Sequence, residues 1–73
     1  MSPANEALYR AAMDTDKAWS AELQRLFGKR AGDVRYLAQG YGEPGSELRR
    51  LHDAAKAAGA AWEPVSRSLA GIR

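Results

Sequence analysis

Between Pro3 and Phe27, positions Leu8, Ala12, Thr15, Trp19, Leu23 and Leu26 recur at intervals of three and four, and Tyr9, Met13 and Phe27 widen the stripe. This is the period of one helix face, and it predicts a helix over about 3–27, roughly 37 Å long. Ser2 supplies an N-cap, and Pro3 stands where a missing N–H costs nothing. Gly28 is a natural stop, with Lys29 and Arg30 placed to complement the negative end of the helix dipole.

A second seam runs through Leu48, Leu51, Ala55, Ala58, Trp62, Val65, Leu69 and Ile72, alternating three and four without a slip. It predicts a helix over about 44–63, with Pro44 and Ser46 as competing start signals. Pro64 interrupts the pattern by removing a hydrogen bond and crowding the carbonyl four residues back. The seam stays in register across it, so residues 64–71 are either a kinked continuation or a short third helix. The predicted fold class is all-α: an antiparallel helical hairpin in one small domain, residues 1–73, closed by a long Gly-rich connecting loop over 28–43.

Large and small residues select a register for that hairpin. If Leu26 faces Leu48, then Leu23 meets Leu51, Trp19 meets Ala55, and Ala12 meets Trp62. Each tryptophan then lies opposite an alanine, as close packing of facing helices requires. The same register sets His52 beside Glu22.

Composition changes this picture in one respect. A chain of 73 residues buries only about 60% of the surface its unfolded form exposes. It has no cysteine and one histidine, so disulfides, thiolate zinc sites and a His-rich metal site are not the means of stabilisation. A two-helix hairpin also leaves its flanks uncovered. Pairing two hairpins into a four-helix homodimer covers them; the alternative is a monomer in which residues 64–73 fold back as a third helix. The homodimer is the stronger expectation. No apolar run approaches a membrane span, and the first residues lack a signal-peptide pattern, so the expected location is cytoplasmic.

The formal charge of +2 is unevenly distributed: residues 25–50 hold six basic and three acidic groups. Within this region the stretch GKRAGDVRYLAQGYGEPG (28–45) has five of the seven glycines and two of the three tyrosines. Lys29, Arg30, Arg35, Tyr36, Tyr41, Arg49 and Arg50 are therefore the candidate partner-binding residues. Tyrosine and arginine suit protein recognition; basic groups beside aromatic rings also suit phosphates and stacked bases. A third reading is structural, with Val34, Tyr36 and Leu37 folding back to cap the hairpin.

Catalytic and cofactor chemistry find little support. Gly28-Lys29 lacks the spacing and the preceding strand of a phosphate loop. Asp14 and Asp16 point to different helix faces, and Asp14 pairs better with Lys17. His52 and Asp53 have no nucleophile or oxyanion donor at recognisable spacing. No catalytic residue, cofactor or metal ligand is assigned.

The segments AWSAEL, FGKRAGDVRY and GSELRRLHDAAKAAGAAW, spanning residues 18–62, resemble short uncharacterised helical proteins of bacterial genomes and their phages. The resemblance implies a helical hairpin and a bacterial or phage origin, and carries no site residues. The functional expectation is a non-enzymatic protein-binding module, homodimeric, which as a phage-borne inhibitor would occlude a host protein or defence complex. The alternative is a nucleic-acid-binding protein using the basic loop and helix ends.

Overall fold

The computed structural model describes residues 2–71. The chain is all-helical, as predicted. Two 25-residue helices, α1 (Pro3–Phe27) and α4 (Glu47–Gly71), pack along one another, joined by a 3-10 turn (Gly28–Arg30) and two single-turn helices, α2 (Ala31–Val34) and α3 (Ala38–Tyr41). Contacts of Tyr9 with Trp62 and of Trp19 with His52 show that α1 and α4 run antiparallel.

The limits of α1 follow from its capping residues. Ser2 Oγ accepts the Asn5 N–H at 3.1 Å, Pro3 takes the first helical position, and Gly28 ends the helix at φ 58°. At the start of α4 the two competing signals are resolved in favour of serine. Gly45 turns the chain at φ 85°, and Ser46 Oγ accepts the Arg49 N–H at 3.1 Å, so Ser46 is the N-cap and the helix begins three residues later than expected. Pro64 lies inside α4, which continues to Gly71. Ile72, the last position of the seam, falls outside the described residues.

The connecting segment differs most from its expectation. Residues 28–43 are mainly a succession of helical turns, not an irregular loop. Their bonds are local, including Leu37 N–H to Val34 C=O at 2.9 Å and Gly40 N–H to Leu37 C=O at 2.9 Å. Such brief turns complete no apolar period, so patterning misses them.

The buried apolar core is Trp19, Leu23, Ala31, Val34, Leu48 and Ala55, with Phe27 and Leu51 packed against it. Trp19 and Ala55 share this core, as the large-against-small match requires. The capping role falls to Ala31 and Val34, whereas Tyr36 and Leu37 face outward at 78% and 50% exposure. The turn of α2 explains this: Ala31 and Val34, three apart, share its inner face. Leu26 is also 47% exposed and does not join Leu48 in the core. The facing aromatic pairs Tyr9–Trp62 and Trp19–His52 differ by a few residues from the expected register. Trp62 accordingly meets the edge of Tyr9, with ring centroids 5.3 Å apart.

Candidate interaction surface

The closed end of the hairpin is organised around Trp19. Its indole Nε1–H donates to the Gly40 carbonyl at 2.9 Å, which anchors α3 against α1. The His52 ring meets Trp19 edge-on at 5.2 Å, and Tyr41 lies over His52 at 4.6 Å. His52 Nδ1 is 2.9 Å from Asp53 Oδ1, so the histidine engages its neighbour and not the Glu22 expected opposite it. Glu22 is instead bound by both nitrogens of the Arg25 fork, at 2.7 and 2.8 Å.

Gly40 is required by proximity. A Cβ there would strike the Val34 carbonyl oxygen and come within 2.9 Å of its carbon, both backbone atoms that cannot turn aside. Gly42 combines a φ of 83° with a similar constraint, since a Cβ would lie 2.6 Å from the Arg49 nitrogen.

The seven candidate binding residues have separate fates. Arg35 turns inward: its guanidinium donates to Ser20 Oγ at 2.6 Å, pairs with Asp16, and stacks over the Trp19 ring at 4.5 Å. Asp16, and not Asp14, is therefore the engaged member of that acidic pair. Arg49 pairs with Asp53 at 3.2 Å, and Arg50 donates to Glu47 from Nε at 2.9 Å. Tyr41 is half-occupied by its contact with His52. Lys29, Arg30 and Tyr36 remain exposed, and neither cation has an ion-pair partner among the described residues.

These pairings also set the acid–base character of the surface. The hydrogen bond from Arg25 holds the Glu22 carboxyl below its ordinary range, and Arg50 does the same for Glu47. Hydrogen bonding from His52, with the nearby Arg49 charge, lowers Asp53. All are carboxylates at neutral pH.

The apolar pattern of the sequence does not reveal a concavity that lies here. Leu26, Phe27, Arg30, Ala38, Gln39, Gly42, Glu43, Ser46 and Leu48 line an open cleft of about 570 Å³ between the ends of the long helices and α3. Its signal lies in Leu26 and Leu48, whose spacing predicts a closed seam; the seam instead opens there, with Leu26 47% exposed beside Ala38 and Gln39 of α3. The cleft combines an apolar wall with one unpaired cation, Arg30, and one carboxylate, Glu43. That arrangement can receive a protruding apolar side chain and orient it by flanking polar groups.

Among the described residues no helix is long and apolar enough to cross a membrane. Comparison of the chain with family models, curated proteins and solved structures returns no match.

Proposed function

We propose that the chain is a non-enzymatic protein-binding module, working as a homodimer, that engages another protein through the closed end of its hairpin. The observation carrying this reading is the cleft beside exposed Leu26, with Arg30 unpaired at its wall. A concavity with an apolar wall and flanking polar groups can take an anchor side chain of a partner. A non-enzymatic role is supported by the state of His52, the only histidine, which is occupied by Trp19, Tyr41 and Asp53. If the chain is phage-borne, as its resemblance to short proteins of bacterial genomes and their phages allows, the partner would be a host protein or defence complex whose surface the module occludes.

The nucleic-acid alternative has less to work with. Of the six basic residues in 25–50, Arg25, Arg35, Arg49 and Arg50 are already paired with carboxylates, leaving Lys29 and Arg30. Affinity capture from a bacterial lysate should recover a defined protein with the wild type and lose it with Leu26→Asp. Duplex and single-stranded probes should show no binding at ~50 mM salt, where phosphate contacts are strongest. Equal capture by Leu26→Asp, or probe binding that falls steeply with salt, would overturn the reading.

A further inference from the structure

Ion pairing over the surface of this chain is nearly complete, and its exceptions fall together. Among the described residues, every arginine but one is paired with a carboxylate: Arg10 with Glu6, Arg25 with Glu22, Arg35 with Asp16, Arg49 with Asp53, Arg50 with Glu47 and Arg67 with Glu63. The exception is Arg30. The same pairs take up every glutamate except Glu43. Arg30 and Glu43 both line the cleft beside Leu26, yet they form no ion pair with each other.

The other polar groups nearby are already engaged. Ser46 Oγ donates to the Glu43 carbonyl at 2.7 Å and accepts the Arg49 N–H, and the Ser46 N–H also donates to the Glu43 carbonyl at 3.0 Å. The main chain at Glu43 is thus fixed while its carboxylate is left free. The wall contributes Leu26, 47% exposed, with Phe27 and Leu48. A cation, a carboxylate and a wet apolar surface, all without partners, therefore share one cavity.

Charge selects among ligands for such a cavity. A phosphate-rich or uniformly acidic ligand gains Arg30 but is repelled by Glu43, and a uniformly basic one meets the reverse. The ligand that satisfies all three groups has a carboxylate for the Arg30 fork, a cation for Glu43, and an apolar group to cover Leu26. We infer that the cleft takes a polypeptide segment in which an apolar side chain is flanked by an acidic residue on one side and a basic residue on the other. The inference rests on the protein-binding reading above and specifies the chemistry of the segment recognised. The volume of about 570 Å³ lies within the range of ligand-sized pockets and admits the anchor with its neighbours.

Short blocked peptides with one central phenylalanine are the probes. One type carries a glutamate on one side and a lysine on the other, in both orders. The others carry two glutamates, two lysines, or the mixed charges around alanine in place of phenylalanine. Titrated into the isotope-labelled full chain, a mixed-charge peptide should shift the amides of Leu26, Gln39 and Leu48. In at least one order it should bind ~5-fold more tightly than either like-charged peptide, and ~10-fold more tightly than the alanine peptide. Arg30→Glu should transfer the preference to the two-lysine peptide, and Glu43→Lys to the two-glutamate peptide. Both positions are exposed, so the circular dichroism of these variants should match the wild type. Equal affinity for every charge pattern, a preference unmoved by both reversals, or no shift at the cleft at ~5 mM peptide would overturn the inference. Capture of a lysate protein that is lost with Leu26→Asp but survives both charge reversals would also overturn it, while leaving the protein-binding reading in place. Mixed-charge peptide binding at the cleft with no protein captured would do the reverse.

Discussion

Trp19 Nε1–H donates to the Gly40 carbonyl at 2.9 Å, so the side chain that fills the space between the long helices also anchors the segment joining them. Packing and connectivity are thereby supported by one residue, which separates two kinds of substitution. Trp19→Phe keeps the ring body but leaves a buried carbonyl unpaired, at a cost of ~1–3 kcal/mol. Trp19→Ala removes the ring as well and should cost ~3–5 kcal/mol. In urea titrations followed by circular dichroism, the first variant is expected to fold with a lowered midpoint. The second is expected to be largely unfolded in buffer, since so small a core supplies ~3–5 kcal/mol in total.

Gly40→Ala drives a methyl group into the Val34 carbonyl, and neither backbone can yield without moving α2 from α3. A destabilisation of ~1–3 kcal/mol is expected. Gly32→Ala, at a position with open space around it and no positive φ, should be neutral or stabilise by ~0.4–1 kcal/mol. Thermal unfolding of the two variants side by side tests the claim. Equal melting temperatures would show that Gly40 is not held by this close approach.

Arg35→Lys keeps the charge but cannot reproduce a flat group that contacts Ser20, Asp16 and the Trp19 face together. It should cost ~1–2 kcal/mol in chemical denaturation, as expected for loss of a charge-assisted hydrogen bond and a stacked cation. Lys29→Ala, by contrast, should lie within about 0.5 kcal/mol of wild type. If both changes proved silent, Arg35 would return to the list of free surface cations.

Acid should weaken the fold in a defined direction. Glu22 and Glu47 sit below their ordinary 4.5, and Asp53 below its ordinary 3.8, held there by Arg25, Arg50 and His52 respectively. A carboxyl depressed in the folded state adds stability above its unfolded value and loses it as pH falls through the folded one. Melting temperature should therefore be flat in this contribution above about pH 5 and decline below about pH 4. These pairs lie at the surface, so the decline should be modest and should shrink in about 0.5 M salt.

The long helices were legible because their signals are local. Ser2, Pro3 and Gly28 mark the ends of α1 by chemistry that acts within four residues. The start of α4 was displaced because proline and serine both announce a helix, and only the hydrogen bond to Arg49 distinguishes them. The closed end was illegible for a different reason. Five glycines read as irregular chain, yet Gly32 lies within α2, and Gly40 answers to the Val34 carbonyl six residues earlier. Arg35 was placed among the binding residues because a lone cation in sequence carries no sign that Asp16, Ser20 and Trp19 converge on it. The spacing of Leu26 assigns it to the seam, and α3, which lines the cleft beside it, has no periodic signature.

The confinement of every buried apolar residue among those described to the stretch from Trp19 to Ala55 means that opening of the chain is graded along its length. Amide protons near Trp19, Leu23 and Ala55 can exchange with solvent only when the whole core opens, whereas those near Tyr9 and Val65 exchange by fraying of the arms. In the free monomer, exchange rates should rise from the closed end toward both termini.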